Sequence, residues 1–594
     1  MEYGRLGKPE PLGTSNISHT NEPCATPKKR KVKFLLILTS TLIVASAISA
    51  AVVVVTRSNH SSSSNAAARL KIRRPSQAIS RTCGLTRYPT LCVDSLVDFP
   101  HAMAASEKDL VHISVNVTLR KFDRAISLAS NIRNLVMDSH VRSAYEDCIE
   151  LLEDSVSHLT RSLSSVAPGG GVTTSTQDVL TWLSAALTNH GTCTEGFSEL
   201  KGHVKHLILD VLKDLSGLVS NCLAIYSASG AGGQAFYGIP IQNRRRMLLS
   251  SLKVHQNYPQ WLSRRDRKLL DSPVSGINAH VTVSKDGSGN YETIAEAIKR
   301  APENSRRRFI IYVKAGRYEE GILTVGRKKT NIMLIGDGKG RTVISGSRNI
   351  QEGVTTFRSA TFAATGDGFI ARDITFENTA GPSKHQAVAL RVGADHAVIF
   401  RCSVVGYQDT LYVYSQRQFY RDSDIHGTVD FIFGNAAVVF QNCNIHARKP
   451  MPFQKITITA QNRQDPNQNT GMSFHACRLV ADPDLQSVKG SYPTYLGRPW
   501  KLYSRVVYML SYMGDHIHPK GWLEWSSTFA LDTLHYGEYM NYGPGGATGQ
   551  RVKWPGYHVI TSPAEASKFT VGKFIYGSAW LPSTGVSFAE GLST

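Results

Sequence analysis

The chain has 594 residues, 41% of them hydrophobic and 19% charged. That is ordinary globular composition with ample core material, and the length asks for two to four domains rather than one. The formal net charge of +21 fits an acidic partner. Much of the surplus sits in short basic clusters near the N-terminus and mid-chain rather than along one folded face, which argues against nucleic acid.

Residues 1–33 read as a cytoplasmic tail ending in the basic flank Lys28–Lys33. Residues 34–55 then run for 22 positions without a charge, long enough to cross a bilayer core of roughly 30 Å. The positive flank comes first, so the N-terminus stays cytoplasmic and everything after Thr56 is translocated. A buried core helix is disfavoured, because the run is too long and has no polar face. It also exceeds the ~7–15 residues of a signal h-region, which favours a membrane anchor at first synthesis, although a long cleaved signal stays open. Cys24 remains on the cytoplasmic side, and the other cysteines meet an oxidising lumen where disulfides form. Asn59 and Asn116 begin glycosylation sequons on that side.

A Ser/Ala/Arg-rich stalk covers 56–78. From 79 to 226, segments such as NVTLRKFDRAISLASNIRNLV and DVLTWLSAALTNHGTC repeat apolar residues at three- and four-residue steps, which predicts a helical domain. Cys83, Cys92, Cys148 and Cys193 lie in it with Cys222 left over; four cysteines allow three connectivities, and spacing does not choose among them. Residues 227–274 form a linker. It holds two basic clusters, each running into a Leu pair: NRRRMLLS with Arg245, Arg246, Met247 and Leu248, and RRDRKLLDS with Arg267, Lys268, Leu269 and Leu270. On the secretory side these look like sites for a processing protease; a solvated linker is the plainer reading.

From 275 to 594 the texture changes to short β-branched runs between Gly, Asn and Asp, among them RFIIYVKAG, NIMLIGDG and HAVIFRCSVVG. Regular short strands suit a sandwich, a propeller or a solenoid, and a parallel β-helix fits the spacing best. Gln386 and Gln408 are 22 apart, and Asp409 and Asp430 are 21 apart. If one circuit is about that long, the four return to one face on neighbouring coils about 4.7–4.9 Å apart. The plainer alternative makes both acids ordinary turn residues at strand ends. Paired carboxylates suit hydrolysis, because proximity pushes their pKa values apart so that one attacks while the other donates a proton. Arg498, close to Trp500, is the cation that would hold the attacking carboxylate, and the two glutamine amides could donate to an oxyanion. No G-x-S-x-G occurs, which disfavours a serine esterase.

Five blocks in order, GRYEE (316–320), QAVAL (386–390), YQDTL (407–411), DFIFG (430–434) and LGRPW (496–500), resemble the signature blocks of plant pectin methylesterases. The helical part resembles their inhibitor-like pro-region, and the basic-Leu clusters resemble their processing motifs. The resemblance implies a mainly-β right-handed parallel β-helix after an all-α four-helix bundle. It pairs Cys83 with Cys92 and Cys148 with Cys193. It implies hydrolysis of galacturonate methyl esters in methyl-esterified homogalacturonan, without cofactor or metal, in the extracellular cell wall. Carried over, Asp430 is the nucleophile, Asp409 the general acid and base, Gln408 and Gln386 the oxyanion donors, and Arg498 the partner of Asp430. Thr356 and Trp500 are substrate contacts. Further partners are a processing protease and separate pectinesterase inhibitor proteins, with membrane contact only through the N-terminal anchor. One departure is Ser423, where relatives often carry a cysteine paired with the position of Cys443; Cys402, Cys443 and Cys477 are then expected as free thiols. A polygalacturonase or lyase on the same fold is disfavoured, since IHG at 425–427 is a poor substitute for a GHG block. A non-enzymatic pectin binder or inhibitor is the remaining alternative.

Overall fold

The computed structural model describes residues 74–167, 175–229 and 278–592. The apolar run at 34–55, Asn59 and both basic-Leu clusters lie outside the described residues. Among the described residues no helix is long and apolar enough to cross a membrane.

The N-terminal region is helical: α1 (Gln77–Gly84), α2 (Pro89–Val97), α3 (Glu107–Ser130), α4 (Ser139–Ser165), α5 (Thr176–Gly196), α6 (His203–Leu212) and α7 (Leu215–Ala228). Local chemistry sets the starts of the three longest. Ser106 and Ser175 close capping boxes with Asp109 and Asp178, and the Asp138 side chain accepts from the Val141 N–H. Helices α3, α4, α5 and α7 pack on one another around a common core. Disulfides join Cys83 to Cys92, tying α1 to α2, and Cys148 to Cys193, tying α4 to α5. Asn116 lies within α3, two residues before the buried Thr118. Every residue of α5 from Val179 to His190 is buried. A helix with no wet face is sandwiched, and the second surface against α5 belongs to the β domain.

From Val281 onward the chain winds as a solenoid of three all-parallel sheets of 11, 7 and 8 strands, each circuit adding one strand to each sheet through most of its length. The circuit turns at a repeated corner. Asp373, Arg401, Asp422, Asn442, Ala476 and Leu510 each follow a strand of the first sheet directly, and all have positive φ. Inside the coil, residues in register stack into ladders: Tyr420 on Phe440, Phe440 on Phe474 and Phe474 on Tyr508, with ring centroids 4.5–4.7 Å apart. Cys402, Cys443 and Cys477 are buried free thiols in this interior, as is Cys222 in the helical core. The Ser423 hydroxyl accepts from the Cys402 N–H and donates to the Arg421 carbonyl. Burial pushes the Cys402 thiol up to about 12, so packing rather than reactivity is its role.

Candidate active site

The seven-stranded sheet carries the predicted residues. Leu390 pairs with Leu411 and Leu411 with Ile432, so a circuit here is 21 residues. Asp409 and Asp430 each stand two residues ahead of these strands, with φ of +60° and +50°. They are turn residues and members of one column at once, so the two readings of the sequence describe the same geometry. A non-glycine residue held at positive φ is costly and recurs at functional sites.

Asp430 is fully buried and held from two sides. Arg498, from the strand Thr494–Pro499, grips it bidentately, Nε to Oδ1 at 2.9 Å and Nη2 to Oδ2 at 2.6 Å. Thr457, from the strand Ile456–Gln461, donates its hydroxyl to Oδ1 at 2.6 Å and accepts the Asp430 N–H at 2.9 Å. The sequence reading missed Thr457. Its signal is faint, because the next circuit, from Ile432 to Thr459, is 27 residues long and breaks the 21-residue count.

Asp409 is 1% exposed, and its Oδ1 has no hydrogen-bond partner. Burial pushes this carboxyl well above the usual carboxylate range; the Asp430 charge pushes the same way, and Arg498 offsets part of it. The site thus sets a carboxyl that burial biases toward its protonated form beside a carboxyl clamped by an arginine. Gln386 and Gln408 are buried on adjacent coils, joined by the Ala387 N–H donating to the Gln408 carbonyl at 3.2 Å.

Aromatic rings extend from this centre. Tyr412 stacks on Phe433 at 4.1 Å, Phe433 lies 6.0 Å from Trp500, and Arg498 sits 4.4 Å over the Trp525 ring. Thr356 stands at the head of the turn Phe357–Ser359, and its neighbour Phe357 meets Tyr414 edge-on at 5.2 Å, beside the aromatic row.

This row is where the helical region docks. Tyr412, Tyr414, Phe433, Trp500 and Trp525 pack into the same apolar cluster as the bundle. Along α5, Asn189 accepts from the Tyr414 hydroxyl at 2.8 Å, Thr188 accepts from Asn435 at 2.8 Å, and the Leu187 carbonyl accepts from Gln464 at 2.8 Å. At its N-terminal end Asp178 pairs with Arg417 at 2.7 Å, and toward its other end Glu195 pairs with Lys501. Along α4, Asp147 pairs with Arg358 at 2.6 Å and accepts the Thr355 hydroxyl, Asp154 pairs with Arg327 at 2.8 Å, and Arg161 pairs with Asp367 at 2.8 Å.

Comparison with known proteins agrees with this division. The profile of the family described as Pectinesterase matches residues 280–578, and that of the plant invertase/pectin methylesterase inhibitor matches 77–225. A probable pectinesterase/pectinesterase inhibitor 61 from Arabidopsis thaliana is 64% identical over 524 residues, 88% of each chain. Pectinesterase 3 from Citrus sinensis is 46% identical over 87% of this chain and 89% of its own. Among solved structures, pectin methylesterase from carrot matches with a TM-score of 0.53 and 56% identity, covering 53% of this chain and 99% of that one. The chain therefore belongs to the pectinesterase family, and is a carboxylic ester hydrolase with an inhibitor-like helical region ahead of its catalytic solenoid.

Proposed function

We propose that Asp430 and Asp409 carry the hydrolysis of galacturonate methyl esters in pectin. The observation behind this reading is the pairing of a buried acid, Asp409, whose pKa burial raises, with Asp430, clamped by Arg498 and Thr457. Asp430 attacks the ester carbonyl carbon, with the Gln408 and Gln386 amides donating to the oxygen that gains charge. Asp409 gives its proton to the departing methanol and leaves an acyl-enzyme anhydride. The same carboxylate, now a base, takes a proton from water, whose attack frees the galacturonate acid and restores both groups. Trp500, Phe433 and Tyr412 form the apolar floor for the sugar, and Thr356 marks its far end. No step calls for a metal or cofactor.

The helical region occupies that floor, so the unprocessed chain is read as inactive. Cleavage at Arg245–Leu248 or Arg267–Leu270 by a protease of the secretory pathway would free a solenoid of the right-handed sense implied by the family. The product acts in the extracellular cell wall, where separate inhibitor proteins could take the vacated place. The precursor is held at the membrane by residues 34–55, with glycans on Asn59 and Asn116. Methanol release from methylated pectin tests both parts. The cleaved chain should release methanol, the uncleaved chain much less, and cleaved Asp430→Ala close to none. Equal release by cleaved wild type and Asp430→Ala would reject the nucleophile.

A further inference from the structure

We propose that His426, His446 and Asp482 form a binding site for one divalent ion of the zinc and copper class, on the outside of the eight-stranded sheet. The two histidines occupy equivalent places on neighbouring coils. His426 lies on the strand Asp424–Gly427, His446 on Asn444–Ala447, and the register pairs them directly. Their rings are stacked with centroids 4.2 Å apart and planes 16° from parallel. Asp482 comes from a third element. It stands at the N-cap position of the short helix Pro483–Gln486 without a side-chain capping bond, and its own N–H donates to the Ala447 carbonyl at 2.8 Å. Its two carboxylate oxygens divide between the rings, Oδ2 to His426 Nδ1 and Oδ1 to His446 Nδ1, each at 2.8 Å.

Two imidazoles and one carboxylate are a borderline donor set that suits Zn²⁺ or Cu²⁺ rather than Mg²⁺ or Ca²⁺. The set is pre-assembled: two ligands ride on paired strands, the third is pinned by its backbone, and one ligand atom from each lies within 4.8 Å of the others. Bonds of about 2.1 Å need ligand atoms about 3.4 Å apart, so binding requires a small readjustment in which the 2.8 Å carboxylate–imidazole contacts open. Ring rotation about χ2 supplies it cheaply, because that torsion is broad. The side chains keep 15–22% of their surface, which leaves a path for the ion and room for water as a further ligand. Without an ion, the shared carboxylate also serves as a plain hydrogen-bonded brace, and that is the reading the experiment must separate. The strand bearing His426 ends at Gly427, and the chain then bends through Thr428 and Val429 to Asp430. An ion here would stiffen the approach to the catalytic turn without touching the ester.

The full chain in detergent, stripped with EDTA and desalted, is titrated with ZnCl₂ by calorimetry and its metal content measured after dialysis. One zinc per chain is expected, with a rise in Tm. His426→Gln and His446→Gln should each weaken zinc binding by about tenfold or more, while their methanol release after cleavage matches wild type. In case a variant does not fold, Cu²⁺ bound to the wild-type chain gives an independent reading: its electron paramagnetic resonance spectrum should show two imidazole nitrogens. No bound zinc, zinc binding unchanged in the folded variants, or a copper spectrum without two nitrogens would each overturn the proposal and leave the brace.

Discussion

Asp430 is held by Thr457 through two hydrogen bonds that work in opposite directions, one donated by the hydroxyl and one accepted by it. Thr457→Val keeps the shape and removes both. A buried charged group that loses a partner costs about 1–3 kcal/mol. Part of this falls on the aim of the carboxylate, so kcat should drop roughly tenfold or more with KM little changed. A kcat equal to wild type, with an unchanged melting curve, would make Thr457 a spacer only. Asp409→Asn is a sharper case, since it removes the transferable proton without changing size. Losing a general acid costs about 10²–10⁴ in rate, and that fall is expected in kcat while pectin binding persists. The two acids were legible in the chain because Asp409 and Asp430 are one 21-residue circuit apart; Gln386 and Gln408, 22 apart, sit one residue off that register, and Arg498 was read from the LGRPW block rather than from any repeat. Thr457 was not, because the segment after the strand Asn444–Ala447 lengthens the next circuit and destroys the count.

At the scale of elements, α5 explains what the sequence could not. Its apolar periodicity announces a helix, but nothing in DVLTWLSAALTNHGTC says why no side of it is wet. The answer lies in the second surface, where Thr188 and Asn189 meet Asn435 and Tyr414. Docking of this kind is set by shape and by partners hundreds of residues away, which local pattern does not record. The same holds for α4, where Asp147 is 3% exposed and its carboxylate depends on Arg358 and Thr355. Arg358→Ala would leave that acid buried without its cation. Removing one partner of a buried pair costs about 3–5 kcal/mol; Arg358 is 28% exposed, so the lower end applies. About 3 kcal/mol is roughly a hundredfold shift toward the undocked state. At pH 8, where Asp147 at about 7 is mostly charged, the uncleaved Arg358→Ala chain should therefore release more methanol than the uncleaved wild type, and the cleaved forms should be alike. If the uncleaved variant stays as silent as wild type, the covering of the aromatic row does not depend on this pair.

For the whole molecule, the interface between helices and solenoid also holds acids and a histidine, His158, whose protonation burial shifts. Burial raises Asp147 to about 7 against the pull of Arg358, the Thr355 hydroxyl and Arg391, with Glu150 pushing it further up. Burial raises Asp154 to about 6 against Arg327 and Arg391, again with Glu150 adding to the rise, and Glu195 is raised by burial against Lys501. Each of these acids binds a proton more readily docked than free, where a carboxyl titrates near 4. Docking therefore takes up protons, and it strengthens as pH falls through 7 and then 6. His158 acts the other way. Burial and the nearby Arg161 hold it down at about 3, with Asp395 offsetting and Arg327 adding, so below its free value of about 6.5 it must give up a proton to dock. Between pH 8 and 6.5 only the acids respond, by up to about tenfold in affinity per pH unit for each proton. Below that His158 cancels part of the gain. The grip of the helical region on its own solenoid, measured as inhibition of the cleaved but still mixed halves, should rise from pH 8 to about 6 and then level off. Asp147→Asn should flatten the upper part of the curve, because an amide has no proton to take up. A grip that stays flat from pH 8 to 6.5 and weakens below would mean that these acids keep their charges when docked, and that burial at this interface is relieved by water.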